Sequence, residues 1–164
     1  MQKQETEKRF EQHIKENELL IYKVCRIYAC TTADREDLFQ EIVIQLWNAY
    51  PKFRGESKFS TWLYRVALNT AISGLRKKKD FIESREPAQL PERVSEENAG
   101  HEEDLVQLYK AIEQLSQVEK AIVMLYMEDR SYEEMEEILG MTQGNLRVKM
   151  NRIKEKLRQL TKNN

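Results

Sequence analysis

Two helical patterns separated by a short break occupy residues 34–79, and they constrain the fold more than any other stretch. The first pattern begins DREDLFQE, the break reads YPKFRG, and the second pattern reads FSTWLYRVALNTAISGL before ending in RKKK. Apolar residues recur at helical spacings in both patterns, as on the buried face of a helix. The chain of 164 residues has 5 Gly and 3 Pro and shows no convincing strand-like alternation. An all-α fold is therefore predicted.

The first of these helices divides into an apolar face and a polar face, and Asp34 is predicted as its N-cap. The apolar face, expected in the core, consists of Leu38, Phe39, Ile42, Val43, Leu46 and Trp47. The polar face consists of Asp37, Gln40, Glu41, Gln45 and Asn48, with Ile44 as an apolar island. Such a face suits ordinary surface, but it also suits docking to a partner.

The second helix is apolar around most of its circumference, which suits burial between neighbouring helices. A narrow polar strip remains, formed by Arg65, Asn69 and Arg76, with Trp62 at its edge. Guanidinium, amide and indole groups contact phosphates, base edges and base faces in nucleic-acid complexes. On this helix alone, a core helix with one solvated seam is the favoured interpretation.

The upstream and downstream neighbours of these helices differ sharply. Residues from Glu5 to about Ala29 predict one long amphipathic helix, which completes a three-helix first domain over residues 1–80 with Phe39, Trp47, Phe59 and Trp62 in its core. In residues 81–104 prolines, a glycine and many glutamates interrupt any period. This segment is predicted to be a flexible acidic linker, or at its simplest a solvated spacer.

The second domain is predicted over residues 105–164. Two capping boxes, Ser116 with Glu119 and Ser131 with Glu134, open helices, and Gly140 supplies a left-handed C′ residue. Thr142 can cap the last helix, whose apolar line is Leu146, Met150, Ile153, Leu157 and Leu160. A short capped helix, a glycine-containing turn and a longer basic helix predict a helix-turn-helix, which favours DNA binding over a merely basic surface.

Charge and composition narrow the function classes. Residues 1–80, 81–108, 109–140 and 141–164 carry net charges of +4, −6, −5 and +6, as expected of separate interaction surfaces. The N-terminal MQKQETEKRF lacks an apolar signal segment and the run AIVMLYM is too short to span a bilayer, so we expect a cytoplasmic protein without membrane insertion. Cys25 and Cys30, with His13 and His101 far away, lack zinc-site spacing. No metal, cofactor or enzymatic site is predicted.

Two segments carry a family resemblance. DREDLFQEIVIQLW followed by FRGESKFSTWLYRVALNTAISGLRKKK resembles the first conserved domain of bacterial RNA polymerase sigma factors, specifically the small two-domain extracytoplasmic-function group. SYEEMEEILGMTQGNLRVKMNRIKEKL resembles that family's C-terminal helix-turn-helix, which reads the promoter's minus-thirty-five element. The resemblance implies a factor that binds core RNA polymerase, selects promoter DNA and helps to open it. The alternative is a helix-turn-helix regulator that uses residues 1–80 for dimerisation.

The resemblance also implies roles for individual residues. Core-polymerase docking is implied for Asp37, Gln40 and Glu41, with Ile44 in the same face. Contact with the minus-ten element is implied for Phe53, Arg54, Gly55, Ser57, Lys58, Phe59, Trp62, Arg65, Asn69, Arg76 and Lys77. Reading of the minus-thirty-five element is implied for Thr142, Asn145, Arg147, Val148, Lys149 and Arg152. Glu136 departs from the small residue usual in the family, and an anti-sigma protein is an expected partner.

Overall fold

The computed structural model describes residues 1–82 and 101–162, with side chains for residues 1–74 and 102–162. Within these ranges the chain forms eight α-helices, one short 3₁₀ helix and no strand, which confirms the all-α prediction. The chain divides into two compact units, Met1–Pro91 and Glu92–Asn164. Most of the predicted acidic linker lies outside the described residues. None of the described helices is both long enough and apolar enough to cross a bilayer.

The first unit contains α1 (Gln2–Glu16), α2 (Glu18–Tyr28), α3 (Thr32–Ala49), a 3₁₀ helix (Tyr50–Lys52) and α4 (Phe59–Ile82). Helices α2, α3 and α4 pack against one another in all three pairings. The fully buried side chains between them are mostly aliphatic and include Ile21, Val24, Ile42, Leu46, Leu63 and Tyr64. This core orients α3 and α4, the two helices on which candidate functional residues were predicted.

The prediction of one long helix from Glu5 to Ala29 is wrong, because the chain is interrupted at Asn17. Asn17 has φ −119° and ψ 14°, and its Nδ2 atom donates a hydrogen bond of 2.8 Å to the carbonyl oxygen of His13. This bond satisfies one of the carbonyl groups at the end of α1. Apolar periodicity continues across the interruption through Ile14 and Ile21, so the pattern alone did not reveal it.

The N-cap of α3 is Thr31 rather than the predicted Asp34. Thr31 has an extended backbone and its Oγ1 accepts a hydrogen bond of 3.0 Å from the backbone N–H of Asp34. Asp34 therefore lies in the first turn, where its negative charge still favours the positive end of the helix dipole. Both residue types cap helices well, and the conformation of the preceding turn decides between them.

The predicted aromatic core of the first unit is also wrong. Trp47 is 36% exposed, and Phe39, Phe59 and Trp62 are only half-buried. The core positions that we expected these rings to fill are taken by smaller aliphatic side chains and by Tyr64. The rings instead contact one another near the surface, in an arrangement described below.

The second unit contains α5 (His101–Glu113), α6 (Gln117–Met127), α7 (Tyr132–Leu139) and α8 (Gln143–Lys162). Helix α8 packs on the other three, and its buried residues Leu146, Met150 and Ile153 confirm most of the predicted apolar line. Leu157 and Leu160 are half-buried. Helix α4 runs to Ile82 and α5 begins at His101, so both helices extend further into the predicted linker than expected.

Local capping largely follows the sequence prediction. At the start of α6, Ser116 Oγ accepts from the Glu119 N–H at 3.2 Å and the Glu119 carboxylate accepts from the Ser116 N–H at 3.1 Å, which confirms the first capping box. At α7, Ser131 Oγ accepts from the Glu134 N–H, but the Glu134 carboxylate accepts from Arg130 Nη1 at 3.2 Å, so only half of the second predicted box forms.

The turn between α7 and α8 has the predicted geometry. Gly140 adopts φ +71° at the C-terminal end of α7, a left-handed conformation that favours glycine. Thr142 Oγ1 then accepts from the Asn145 N–H at 3.3 Å at the start of α8. The short helix, the turn and the long basic helix confirm the helix-turn-helix.

Candidate polymerase-binding and nucleic-acid-binding surfaces

The polar face of α3 is accessible as predicted. Asp37, Gln40 and Glu41 are exposed, and Ile44 is 52% exposed beside them. The Gln45 Nε2 atom donates to the Glu41 carboxylate at 3.1 Å and steadies it on the helix surface. The structure therefore brings all four predicted docking residues onto one side of α3.

An apolar depression continues this face, and sequence reasoning missed it because it assigned two of its residues to the core. The depression is lined by Phe39, Gln40, Val43 and Ile44. Tyr22 of α2, itself 50% exposed, stacks on Phe39 with ring centroids 4.7 Å apart and an interplanar angle of 26°. The acidic face and the apolar depression share Gln40 and Ile44. We call their combined surface the α3 face.

The predicted minus-ten loop connects the 3₁₀ helix to α4. Its backbone turns at Gly55, where φ is +73°, a value that favours glycine. Arg54 and Lys58 are exposed on this loop, whereas Ser57 is half-buried. Phe53 at its start is fixed by a backbone hydrogen bond of 3.0 Å from its N–H to the carbonyl oxygen of Tyr50.

Aromatic rings hold both ends of the loop. Phe53 contacts Phe59 with ring centroids 5.6 Å apart and Trp62 with centroids 5.0 Å apart, and Phe59 lies 5.3 Å from Trp62. Rings at these separations and angles attract one another beyond simple area burial. Because the first and last residues of the loop share one aromatic contact set, the exposed cationic residues between them project from a fixed base.

Helix α1 extends this group of rings into what we call the aromatic cluster. Its members are Phe10, His13, Trp47, Tyr50, Phe53, Phe59 and Trp62. His13 stacks on Phe59 at 4.3 Å with an interplanar angle of 15°, and Phe10 meets Trp47 edge-on at 5.0 Å. Sequence reasoning did not include α1 in this site. The only signal was Phe10 on the apolar line of that helix, which does not reveal its partner.

The polar strip on α4 is present over its described part. Arg65 and Asn69 are exposed and Trp62 is half-buried, at the helical spacing that places all three on one side of α4. Arg76 and Lys77 belong to the same helix, but their side chains fall outside the described residues. The strip begins at the aromatic cluster through Trp62, so the cluster and the exposed polar groups form one continuous surface.

The predicted minus-thirty-five residues lie in the first half of α8 and at its cap. Asn145, Arg147, Val148 and Arg152 are exposed, and Lys149 is half-buried. The Arg147 guanidinium lies 5.0 Å from the centre of the Tyr132 ring on α7, a cation–π contact. Glu136, the family departure, is half-buried and accepts a hydrogen bond of 3.2 Å from Gln143 Nε2. Sequence reasoning identified neither Tyr132 nor Gln143.

A charged contact joins α8 to α6. Lys156 Nζ lies 3.1 Å from the Glu119 carboxylate, which also completes the Ser116 capping box. Burial acts to raise the pKa of Glu119, but hydrogen bonds from Ser116 and Lys156 outweigh it and hold the pKa below the ordinary value of 4.5. The same carboxylate therefore stabilises the start of α6 and positions α8.

The two cysteines do not contribute to these surfaces. Cys25 is buried and burial raises its thiol pKa to about 11, so this thiol stays protonated at neutral pH. Cys30 is exposed, and both thiols are free. Over the described ranges, no group of three or more His, Cys, Asp or Glu residues could hold a metal ion.

Comparison with known proteins identifies the family of this chain. Models of sigma-70 region 2 and sigma-70 region 4 match residues 13–81 and 105–157. The chain is 32% identical to the ECF RNA polymerase sigma-E factor of Escherichia coli K12 over 137 residues, 76% of this chain and 72% of that protein. The chain belongs to the ECF sigma factors. It is 28% identical to the Bacillus subtilis sigma factor SigW over 151 residues, 84% of this chain and 81% of SigW.

Two solved structures share the fold of this sigma factor. The sigma factor RpoE of Bartonella quintana, solved with the anti-sigma factor NepR, matches with a TM-score of 0.77 at 21% identity, covering 94% of this chain and 98% of RpoE. CnrH, solved with the cytosolic domain of CnrY, matches with a TM-score of 0.69 at 17% identity, covering 96% of this chain and 90% of CnrH.

Family membership confirms the resemblance read from the sequence. As an ECF sigma factor, the chain is a transcription initiation factor that directs RNA polymerase to promoter DNA. The alternative of a helix-turn-helix regulator without polymerase binding is not favoured, because such a regulator would not explain the match of sigma-70 region 2 to residues 13–81.

Proposed function

We propose that residues 1–80 of this sigma factor bind core RNA polymerase and recognise and melt the minus-ten element, and that residues 105–164 read the minus-thirty-five element. Residues 81–104 then serve as the tether between them. The observation that carries the proposal is that the first unit presents two chemically distinct surfaces on different helices: the acidic and apolar α3 face, and the aromatic cluster with the polar strip of α4. A simple dimerisation domain would not need the second surface.

In this proposal the α3 face is the polymerase-docking site. Asp37 and Glu41 supply negative charge, Gln40 supplies an amide, and Ile44 with the adjoining depression supplies an apolar centre. Protein interfaces commonly combine an apolar centre with a polar rim. The expected partner surface is therefore basic at its edges and apolar in the middle, as a helical element bearing Arg or Lys around Leu or Ile would be.

The loop and the strip of α4 form the minus-ten site in this proposal. An unpaired base needs a pocket with hydrogen-bonding groups, and the strand beside it needs stacking surfaces and cations. Phe53, Phe59 and Trp62 supply rings, Asn69 supplies a donor and an acceptor, and Arg65 supplies a cation. The loop itself consists of residues that include Arg54, Gly55, Ser57 and Lys58. Further along α4, Arg76 and Lys77 would contact duplex phosphates.

Helix α8 is the proposed minus-thirty-five reader. Arg147, Val148 and Arg152 are exposed on the second helix of the helix-turn-helix, the element that enters the major groove in such domains. Lys149 and Asn145 add contacts at the same end, and Thr142 fixes the start of the helix. The chain carries out no covalent chemistry in this scheme, and it acts in the cytoplasm, where polymerase and promoter DNA are found.

An anti-sigma protein is the proposed regulator. RpoE and CnrH, which share this fold, were solved with NepR and with the cytosolic domain of CnrY. Apolar side chains are exposed on each unit here, including Tyr22 and Ile44 in the first and Leu105 and Val106 in the second. An inhibitor that covered these positions on both units would bury apolar surface and keep polymerase away from the α3 face.

The docking proposal is tested by replacing Asp37, Gln40 and Glu41 together with Ala. We expect affinity for core polymerase to fall about tenfold or more, because the change removes two negative charges and an amide from the polar rim that would face basic residues of the partner. Binding is measured by fluorescence anisotropy of the labelled sigma factor, and affinity for a duplex carrying the minus-thirty-five element is measured in parallel and should not change.

The matched control replaces Gln4, Glu7 and Glu11 with Ala. These residues are exposed on α1, and their replacement removes two carboxylates and one amide, as the docking variant does. This control should retain core affinity. Equal losses of core affinity in both triple variants would mean that net charge, and not the α3 face, governs binding, and the docking assignment would then be wrong.

A further inference from the structure

Two contacts between α7 and α8 have the same spacing on both helices. Tyr132 contacts Arg147, and Glu136 contacts Gln143. Within each helix the two residues are four positions apart, one turn, so both contacts lie along the same pair of helix faces. Helix α7 thus holds two polar side chains of the recognition helix before any DNA is bound.

The chemistry of the second contact fixes the orientation of an amide. Gln143 Nε2 lies 3.2 Å from Glu136 Oε2. An ionised carboxylate only accepts hydrogen bonds, so the Gln143 amide must turn its NH₂ group toward Glu136 and cannot turn its oxygen there. One N–H is used in this contact, and the carbonyl oxygen and the second N–H of the same amide are left for another partner.

Gln143 occupies a position suited to reading bases. It is the first residue of α8, and in a helix-turn-helix the N-terminal residues of the second helix contact base edges. It lies one helical turn before Arg147, on the same side, so it would face the groove next to that residue. This step rests on the proposed role of α8 as the minus-thirty-five reader.

We propose that Gln143 is a specificity-determining residue of this sigma factor, and that Glu136 positions its amide so that it selects an A·T base pair in the minus-thirty-five element. In the major groove adenine presents the N7 acceptor beside the N6 donor, which matches the N–H and the oxygen left on the Gln143 amide. Guanine presents two acceptors, so the fixed amide oxygen would face an acceptor and be rejected.

The role of Glu136 follows from the freedom of an unrestrained amide. Without a carboxylate beside it, the Gln143 amide can rotate and turn both N–H donors of its NH₂ group toward the two acceptors of guanine, so it no longer favours adenine. Glu136 is half-buried at the contact between the two helices and lies on α7, so it holds the amide from outside the recognition helix. It is therefore a positioning residue rather than a base reader.

The test uses holoenzyme assembled from core polymerase and the full chain, bound to a promoter library with a randomised minus-thirty-five element. Gln143→Ala should lower the A·T preference at one position about tenfold and leave the other positions unchanged. Glu136→Ala and Glu136→Gln should lower the preference at that same position while retaining overall affinity. Glu136→Gln keeps the size of the side chain and its capacity to form hydrogen bonds, but it no longer accepts only. A loss of preference in this variant therefore reflects the orientation of the Gln143 amide and not the packing of the helices.

The control pair is Gln159 and Glu155, the same two residue types joined by a bond of 3.4 Å further along α8. Replacement of either with Ala should leave the base profile intact. An unchanged profile for Gln143→Ala, or an even loss at every position, would overturn the inference, as would a Glu136 variant with the wild-type profile at the Gln143 position. Binding of the same library by the chain without polymerase distinguishes these outcomes from a failure of the docking proposal, which would affect holoenzyme assembly alone.

Discussion

The two units of this sigma factor hold their proposed nucleic-acid-binding residues by different forces. In the first unit the aromatic cluster fixes the proposed minus-ten loop, with seven rings from α1, α3, the following loop and α4 in contact. In the second unit caps and charged contacts fix α8, through Thr142, the Glu119–Lys156 pair and the Tyr132–Arg147 contact. Ring stacking needs no particular protonation state, whereas a carboxylate–ammonium pair does.

The difference suits the two tasks proposed for these units. A site that takes up an unpaired base benefits from a dry, rigid base of rings that keeps its shape while the DNA melts. A helix that enters the major groove benefits from polar side chains that are held in place but can release their partner and contact DNA instead. We therefore expect the stability of the first unit to depend mainly on ring packing. The stability of the second unit should depend on helix caps and should respond to pH and salt.

The largest expected effect comes from Phe10→Ala. Phe10 is buried and contacts Trp47 and Tyr50, so its removal leaves a cavity beneath the cluster and should destabilise the first unit by about 3–5 kcal/mol. Both tryptophans of the chain, Trp47 and Trp62, lie in this unit, so urea unfolding followed by tryptophan fluorescence reports on it alone.

Leu19→Ala is the control for this experiment, because Leu19 is 72% exposed on α2 and its loss should change stability by no more than about 0.5 kcal/mol. If Phe10→Ala were as mild as Leu19→Ala, the cluster would not be the base of the loop, and the contrast between the two units would disappear.

An intermediate effect is expected from Ser116→Ala. This change removes the hydroxyl that accepts from the Glu119 N–H and breaks the capping box of α6, at a cost of about 1 kcal/mol. The thermal transition of the second unit, followed by far-UV circular dichroism, should shift down, while the tryptophan transition stays in place. Ser73→Ala, at an exposed position within α4, serves as the control and should alter neither transition. A shift of the tryptophan transition by Ser116→Ala would argue against independent units.

The smallest expected effect concerns pH. Because the pKa of Glu119 is lower in the folded chain than the ordinary 4.5, its contribution to stability is fully present above that value and is lost as pH falls through the folded pKa. Lys156 is exposed to solvent, so we expect the contribution to be below about 1 kcal/mol and to weaken with salt.

Glu119→Gln should remove this part of the pH dependence of the second unit, measured as the midpoint of urea unfolding between neutral and acidic pH. Glu155→Gln, which changes a more exposed glutamate paired with Arg158 at 3.4 Å, is the matched control. Identical pH profiles for wild type and Glu119→Gln would show that ionisation of Glu119 makes no contribution to the stability of the second unit.

Much of the fold was predictable because its signals are local. The helical spacing of apolar residues, the Ser116 capping box and the left-handed Gly140 were all read from neighbouring residues and were confirmed. The errors were local too: Asn17 interrupts a helix whose apolar pattern continues, and Thr31 caps where Asp34 could have done so. In both places the residue types are compatible with either conformation, so the local pattern did not show which one forms.

The candidate sites were predictable in part. The exposed residues Asp37, Gln40, Glu41, Arg65 and Asn69 lie where the polar faces of their helices indicated. The partners of those residues were not predictable. His13 meets Phe59 and Glu136 meets Gln143 only because separate helices pack together, and spacing within one helix carries no information about its neighbour.

The sequence by itself determined the all-α class, the helices from α3 to α8, the Ser116 capping box, the helix-turn-helix and the family, because each depends on residues within a few turns of one another or on a long ordered match. Only the tertiary structure decided that aromatic residues expected in the core would form a surface cluster, and that α7 would hold the side chains of α8. The physical reason is that burial and ring contacts depend on which helices meet, and that is set by how all the side chains of a unit fill its interior together.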